Sequence, residues 1–330
     1  MEKIRWGILS TGDIAHSFAK DLKLLPDADL IAVGSRNQKT ADAFGDQFSI
    51  PKRHASYDKL ANDPDIDVIY IATPHTLHAE NSILCMKAGK AVLCEKALTI
   101  NAPEAEKMIE VAREQQVFLM EAMVTRHFPV THAIQDWIKS GEIGEVRMVK
   151  ATRCARGSFD NTTRHLNPIL GGGSLLDVGV YVVSFSSMIY GKPPIRTVGY
   201  GHIGSSGSDE QGAALLEYEN GALSVLIFAL RTNAVNEAYI LGTKGYIKIF
   251  PPFAVPTKAI LNVEGKDEIS VEIPINGNGL NYEAAEVMRC MREGKLESPR
   301  MPLDESLEIM RTLDQIRTPW PLKYKNDLLV

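Results

Sequence analysis

The first third of the chain alternates short apolar runs with segments whose apolar positions recur at helical spacing. Apolar runs of strand length cover 4–9, 28–34, 67–72, 91–94 and 117–121. Helical spacing follows these runs at 16–25, 40–48, 57–60, 79–88 and 102–114. Strands that alternate with helices form βαβ units, whose strands run parallel. The pattern predicts a doubly wound, mostly parallel α/β domain over residues 1–122.

The pattern changes after this point, because most of the later segments alternate or have the length of strands. The predicted strands cover 146–153, 197–202, 213–218, 222–230, 238–241, 245–249 and 269–273. The predicted helices cover 130–140, 282–293 and 304–317. Strands joined without intervening helices pair mainly antiparallel. Residues 123–330 are therefore predicted to form an α+β domain with a large, mainly antiparallel sheet.

Length and composition agree with two domains and exclude several classes of function. A chain of 330 residues exceeds one typical domain. Its net charge of -5 and pI near 5.9 give no basic surface for nucleic acid. No apolar stretch approaches the ~20 residues of a membrane span, so we expect a soluble cytoplasmic protein.

The cysteines and a glycosylation sequence add little to this picture. The four cysteines, Cys85, Cys94, Cys154 and Cys290, contain no C-x-x-C pair, which predicts neither a zinc site nor a disulfide framework. Asn161-Thr162-Thr163 matches a glycosylation sequon that has no meaning without secretion.

The turn after the first predicted strand carries the first candidate site. Its pattern Ser10-x-Gly12-x-x-Ala15 is the dinucleotide fingerprint with serine in place of the first glycine. Gly12 allows a pyrophosphate to approach the backbone, and the start of the next helix offers unpaired N–H groups. The alternative is a tight strand-to-helix turn without a ligand.

The second predicted strand ends in Ser35-Arg36, roughly 20 residues past the turn, where such domains read the ribose of the cofactor. NAD-specific sites usually place a carboxylate at this position. A hydroxyl and a guanidinium can instead pair with a 2′-phosphate, which favours NADP. The alternative is an ordinary surface arginine.

Three further polar clusters follow predicted strands or lie in the second domain. Two of them, Thr73-Pro74-His75-x-x-His78 and Glu95-Lys96, lie at strand ends, where open α/β sheets bind ligands. They could also be polar helix termini and a solvated surface pair. The third follows Gly171-Gly172-Gly173 and places Asp177 and Tyr181 four residues apart, on one face if the stretch is helical.

Together these motifs resemble the Gfo/Idh/MocA oxidoreductases in identity and order. Segments such as Trp6-Gly7-Ile8-Leu9-Ser10 and Leu176-Asp177-Val178-Gly179-Val180-Tyr181 look like the dimeric dihydrodiol dehydrogenase and NADP-dependent D-xylose dehydrogenase branch. The resemblance implies a dinucleotide-binding Rossmann domain and an open-faced sheet domain that binds substrate and forms a homodimer. It implies hydride transfer between NADP, with NAD possible, and a sugar, polyol or cyclic dihydrodiol.

The resemblance also implies roles for individual residues. The expected cofactor-binding residues are Ser10, Thr11, Gly12, Asp13, Ile14, Ser35, Arg36, Thr73, Pro74, His75, His78, Glu95 and Lys96. Tyr181 is the expected acid-base group, with Lys96 lowering its pKa and Asp177 orienting one or both; the roles of Lys96 and Tyr181 could be exchanged. The alternative is that Lys96 and Asp177 form a structural pair with no catalytic role.

Two departures and a set of pocket residues complete the predictions. Ala97 replaces the family's proline after Lys96, which weighs against a cis peptide bond because such a bond costs roughly 3 kcal/mol before other residues. Tyr181 stands where sugar and inositol dehydrogenases generally carry histidine. Substrate-pocket residues are expected among Arg126, His127, Arg153, Arg156, Arg164 and His165. Two other functions stay open: an NADP(H) sensor without turnover, and an epimerising or hydrolytic enzyme that retains its cofactor.

Overall fold

A computed structural model describes residues 2–157, 160 and 163–328. Asn161 and Thr162 of the sequon lie outside the described residues. The chain forms two compact units, and the first comprises Met1–Thr99, Pro103–Val124 and Asn276–Ser306. The second comprises Ile100–Ala102, Thr125–Ile275 and Leu307–Val330. A late segment of the chain thus joins the first unit, so a single cut near residue 122 does not divide them.

The N-terminal elements alternate strand and helix as the hydrophobic pattern predicts. Their bounds are β1 (Ile4–Leu9), α1 (Asp13–Leu22), β2 (Ala28–Gly34), α2 (Gln38–Phe48), β3 (Lys52–His54), α3 (Tyr57–Ala61), β4 (Val68–Ile71), α4 (His78–Lys87), β5 (Ala91–Glu95), α5 (Ala102–Gln115) and β6 (Leu119–Ala122). The strands pair parallel in the order β3-β2-β1-β4-β5-β6. The order reverses between β1 and β4, and the crevice at the carboxyl ends of such strands is where doubly wound sheets bind ligands.

An aromatic cluster and a buried carboxylate stabilise the first unit. The Phe18 ring stacks on Tyr70 with centroids 3.8 Å apart and lies 5.4 Å from Trp6. Asp21, buried in α1, accepts hydrogen bonds from the backbone N–H groups of Asn278 and Leu280. Leu280 is the first residue of α8 (Leu280–Arg292), and Asn278 lies two residues before it. A carboxylate of α1 therefore caps a helix that the chain supplies more than 250 positions later.

The second unit is built on a larger sheet. Its strands are β7 (Val146–Cys154), β8 (Arg196–Ile203), β9 (Asp209–Glu217), β10 (Leu223–Ala229), β11 (Ala238–Gly242), β12 (Gly245–Ile249), β13 (Lys258–Val263) and β14 (Ile269–Glu272). They lie in the order β14-β13-β12-β11-β7-β10-β9-β8, with β7 and β10 parallel and the other neighbours antiparallel. The remaining helices are α6 (Pro129–Lys139), α7 (Val180–Tyr190) and α9 (Leu303–Arg317). The predicted α+β class is confirmed.

Three elements escape the hydrophobic pattern. The strand β3 has the sequence Lys-Arg-His and lies at a sheet edge, so it needs no apolar run. The pattern also misses β13, although its residues are mostly buried. The helix α7 is apolar on most sides and rich in valine, so burial rather than an amphipathic stripe stabilises it. Within the described part of the chain, no helix is both long enough and apolar enough to cross a membrane.

Candidate active-site residues

The predicted dinucleotide turn connects β1 to α1 at the carboxyl edge of the parallel sheet. Gly12 is the N-cap residue of α1, and no side-chain capping hydrogen bond closes that first turn among the described residues. A Cβ atom placed on Gly12 would meet nothing within 4 Å, so the space before the helix is open. Free N–H groups facing open space fit a pyrophosphate. Thr11, Asp13 and Ile14 complete this turn, and Asp13 is exposed.

Ser10 adopts the backbone conformation of the glycine that it replaces. Its φ is +95°, a region that glycine enters without penalty and other residues do not. Its backbone N–H donates to the Gly34 carbonyl at 2.9 Å, which fixes the turn against the end of β2. Its hydroxyl acts on Tyr57 in the direction that lowers the pKa of that phenol.

The end of β2 brings Ser35, Arg36 and Tyr57 together. The Ser35 hydroxyl is buried and lies 2.6 Å from that of Thr40, whereas Arg36 is exposed. Burial raises the pKa of Tyr57, against the opposing effects of the Arg36 charge and the bond to Ser10. Arg36 has no carboxylate partner among the described residues, so its guanidinium remains available to a phosphate. Sequence reasoning missed Tyr57, although its place at the start of α3 after an edge strand could have indicated it.

The two histidines of the segment after β4 lie within hydrogen-bond distance of backbone carbonyl oxygens. Both ring nitrogens of the fully buried His78 lie 2.9 Å from backbone carbonyl oxygens, Nδ1 from Ala97 and Nε2 from Thr73. His75 Nε2 lies 3.2 Å from the carbonyl oxygen of Lys96. Burial lowers the pKa of His78 to about 4. The two imidazoles therefore hold the backbone around Lys96, with Pro74 between Thr73 and His75.

Glu95 and Lys96 end β5 at the same edge of the sheet as the dinucleotide turn. The Glu95 carboxylate is buried and accepts from the Tyr70 hydroxyl and from the Lys96 N–H. The peptide bond between Lys96 and Ala97 is cis, so the expectation against a cis bond before alanine was wrong. Lys96 is half-buried, with its backbone held on both sides.

Glu283 of α8 was not predicted to belong to this region. It is completely buried, and neither carboxyl oxygen has a hydrogen-bond partner among the described residues. Burial, and then the charges of Glu95 and Asp21, raise its pKa well above the usual value. The buried environment thus favours the protonated form of Glu283. No sequence signal links it to Glu95, because the two are far apart in the chain.

In the second unit, Asp177 lies within a π-helical turn, Leu175–Gly179, that leads into α7. Its carboxylate is buried, 2.9 Å from His165 Nδ1 and 3.7 Å from the Arg164 guanidinium. Both partners are about half exposed. Single π-helical turns inside helices occur often at functional sites.

A second carboxylate anchors this turn. The fully buried Asp209 of β9 accepts from the Ser174 hydroxyl and from the Leu175 N–H, both at 2.7 Å. Burial raises the pKa of Asp209, and these two hydrogen bonds oppose the rise. The turn that carries Asp177 is therefore fixed at its first residue.

Tyr181 follows one turn later and meets Arg153 of β7. The guanidinium carbon of Arg153 lies 5.8 Å from the centre of the Tyr181 ring. Two other predicted pocket residues, Arg126 and His127, are buried, and Arg126 donates to the hydroxyl and carbonyl of Ser184. Arg153, Arg164 and His165 are thus the predicted pocket residues that surround Asp177 and Tyr181; Arg156 is exposed beyond the end of β7.

Comparison with known proteins identifies the family. The model of an oxidoreductase family with an NAD-binding Rossmann fold, Gfo/Idh/MocA, matches residues 4–123. The model of that family's C-terminal domain matches residues 131–248. The chain belongs to the Gfo/Idh/MocA oxidoreductase family. The predicted resemblance and the nicotinamide-dependent oxidoreductase class are thereby confirmed.

The relatives cover almost the whole chain. Trans-1,2-dihydrobenzene-1,2-diol dehydrogenase of Mus musculus is 38% identical over 336 residues, with 98% of this chain and 99% of the relative covered. The Homo sapiens enzyme is 35% identical over 334 residues with the same coverage. These relatives bear out the predicted similarity to dihydrodiol dehydrogenases.

Solved structures agree with this assignment. A 3-ketoreductase of Actinomadura kijaniata, in complex with NADP and TDP-benzene, has a TM-score of 0.84 and 27% identity over 96% of this chain and 98% of its own. An aldose-aldose oxidoreductase of Caulobacter crescentus has a TM-score of 0.87 at 23% identity, with 96% and 98% covered. The second likeness concerns the fold alone.

Proposed function

We propose that this protein is an NADP-dependent dehydrogenase that interconverts a secondary alcohol and a carbonyl group on a sugar, polyol or cyclic dihydrodiol. The observation that carries the proposal is the shared sheet edge, where the dinucleotide turn after β1 and Lys96 after β5 lie on either side of β4. A lysine at this edge is suitably placed to act on a substrate beside the cofactor. The names of the relatives support a dihydrodiol as substrate, and the name of the Actinomadura 3-ketoreductase supports a carbonyl group.

NADP is the proposed cofactor because of the end of β2. Arg36 is an exposed guanidinium with no carboxylate partner in the described part of the chain, and no acidic side chain takes the position that commonly binds a ribose 2′-hydroxyl. The bound nicotinamide supplies hydride acceptance and donation. The ketoreductase was crystallised with NADP, in agreement with this choice.

Proton transfer is the chemistry left to the protein. The alcohol proton must move to a positioned base as its hydride leaves, and a phenol becomes a competent base beside a cation that favours its phenolate. We assign this role to Tyr181, with Lys96 binding the substrate oxygen and favouring the phenolate and Asp177 orienting the group. Variants of the ketoreductase with a lysine or a tyrosine replaced have also been crystallised, which fits these residue types.

The experiment that tests the function measures reduced nicotinamide by absorbance, with NADP and a panel of pentoses, hexoses and cyclic diols. Net cofactor reduction that Tyr181→Phe lowers about 100-fold supports the proposal. A sensor would bind NADP(H) without turning over any substrate. An enzyme that retains its cofactor would convert a sugar without net reduction.

We further propose a homodimer through the open face of the larger sheet. Register places Tyr200, Ala213 and Ile227 in one row across β8, β9 and β10, and Val198, Leu215 and Val225 in the next. Tyr200 is 79% exposed and Leu215 is 52% exposed. Apolar side chains grouped on one sheet face are typical of a protein interface.

The mass in solution tests this interface. Light scattering of the wild type at micromolar concentration should give twice the chain mass, and Leu215→Glu should give the mass of one chain. A monomeric wild type would contradict the proposal.

We also propose a cytoplasmic location. All four cysteines are buried free thiols, which agrees with a reducing compartment. Fractionation of source cells with an antibody to the protein tests this location, and recovery outside the cytoplasmic fraction would refute it.

A further inference from the structure

Arg153 lies where the strand pattern calls for an apolar residue. Side chains alternate along β7, so Val149, Ala151 and Arg153 share one face of the sheet. Val149 and Ala151 are buried, and α7 packs on β7 from this side. A guanidinium therefore ends an apolar row beneath the helix that carries Tyr181.

The Arg153 guanidinium has no hydrogen-bond acceptor among the residues that the structure describes. Its Nε is buried without a hydrogen-bond partner, and no carboxylate of residues 2–157, 160 and 163–328 pairs with it. The guanidinium carbon lies 5.8 Å from the centre of the Tyr181 ring, close to the ~6 Å limit of a cation–π interaction. Contact with a ring satisfies none of the five N–H donors of an arginine, and partly buried donors without an acceptor are costly.

The carboxylate near Tyr181 is engaged by other residues. Asp177 lies 2.9 Å from His165 Nδ1 and 3.7 Å from the Arg164 guanidinium. Among the described residues no ion pair joins Arg153 to a carboxylate, which leaves the positive charge of Arg153 as a surplus.

We propose that Arg153 binds an oxyanion of the substrate, so that the preferred substrate is a hydroxylated compound carrying a carboxylate or a phosphate. The planar fork of arginine binds such groups through two parallel hydrogen bonds. A neutral hydroxyl would satisfy fewer donors and leave the surplus charge. This inference rests on the proposed function, which supplies the reaction, and on Arg153, which supplies the charge that binds the substrate oxyanion.

The test compares D-glucose, D-glucuronate and D-glucose 6-phosphate in the wild type, Arg153→Met and Arg153→Lys. The wild type should have a higher kcat/KM for one of the two charged sugars than for glucose. A preference for glucuronate indicates a carboxylate substrate, and a preference for glucose 6-phosphate indicates a phosphate. Arg153→Met should lower the charged-to-neutral ratio about 10- to 100-fold, mainly through KM. Arg153→Lys keeps the charge without the fork, so an intermediate ratio is expected. The control is Arg147→Met on the same strand, where Arg147 is 48% exposed and pairs with Glu145.

Calorimetric binding of glucuronate and glucose 6-phosphate in the presence of NADP separates this inference from the proposed function. Binding that Arg153→Met abolishes, with no turnover of any alcohol, would support the inference and refute the function. Turnover of neutral sugars with an unchanged ratio in Arg153→Met would refute the inference and leave the function standing. Thermal unfolding of each variant checks that it is folded at the temperature of the binding and activity measurements.

Discussion

The Nδ1 atom of His78 lies 2.9 Å from the carbonyl oxygen of Ala97, the residue that follows Lys96. The other ring nitrogen faces the carbonyl of Thr73 at the same distance. One buried imidazole therefore joins the ends of β4 and β5. Neutral histidine has a single N–H, so it donates to one carbonyl at a time.

This arrangement predicts a loss of stability in acid. Burial lowers the pKa of His78 to about 4, whereas the unfolded chain titrates near 6.5. Between these values the unfolded state binds the proton and the folded state does not, so the free energy of unfolding falls as pH falls. The expected loss is about 2 kcal/mol from pH 7 to pH 5.

Urea unfolding at the two pH values tests this loss. His78→Gln should be less stable than the wild type at pH 7. Between pH 7 and pH 5, its free energy of unfolding should fall by about 2 kcal/mol less than that of the wild type. Equal losses in the wild type and His78→Gln would contradict the prediction.

The backbone conformation of Ser10 predicts that glycine is more stable than alanine at this position. Its φ of +95° favours glycine, so Ser10→Gly should lie roughly 1 kcal/mol above Ser10→Ala in the free energy of unfolding. Both variants lose the hydroxyl that contacts Tyr57, so their difference isolates the backbone. Thermal and urea unfolding measure it, and a less stable glycine variant would contradict the strain argument.

Cofactor preference depends on Arg36. Arg36→Met should weaken NADP(H) binding about 10- to 100-fold and leave NAD(H) nearly unchanged, because only the former carries a 2′-phosphate. Fluorescence titration of the reduced nicotinamide gives both dissociation constants. Lys107→Met, at an exposed position of α5, is the charge-matched control. A wild type that binds NAD(H) as tightly as NADP(H) would refute this reading of β2.

The fold and the dinucleotide turn could be predicted because they follow from local rules. Strand and helix periods identify β1 and α1, and close approach of a phosphate requires a residue such as Gly12 within a fixed spacing. The cis bond before Ala97 could not be predicted in this way, because cis bonds before residues other than proline are rare.

Other parts of the site depend on register and on contacts between distant segments. The approach of Arg153 to Tyr181 follows from where α7 packs on β7, and the period of α7 gives little signal because its sides are mostly apolar. The charge of Glu95 acts on Glu283, and Asp21 binds the start of the helix that carries Glu283. Such relationships between residues far apart in the sequence can be seen only in the folded structure.

The roles of Lys96 and Tyr181 give the last prediction. If both act in one reaction, Tyr181→Phe removes only a hydroxyl, so folding and NADP(H) affinity should persist while turnover falls about 100-fold or more. Lys96→Met should have a similar effect on turnover. The double variant should lose far less than the product of the single losses, because residues that act as a unit are strongly non-additive. If the two side chains are instead structural, both changes should lower the melting temperature and leave the rate per folded molecule near that of the wild type.

Tyr190→Phe on the same helix is the control, because the Tyr190 hydroxyl donates to the carbonyl of Leu223 and its loss should affect stability alone. Near-normal turnover of Tyr181→Phe on the best substrate would refute the assignment of the acid-base group.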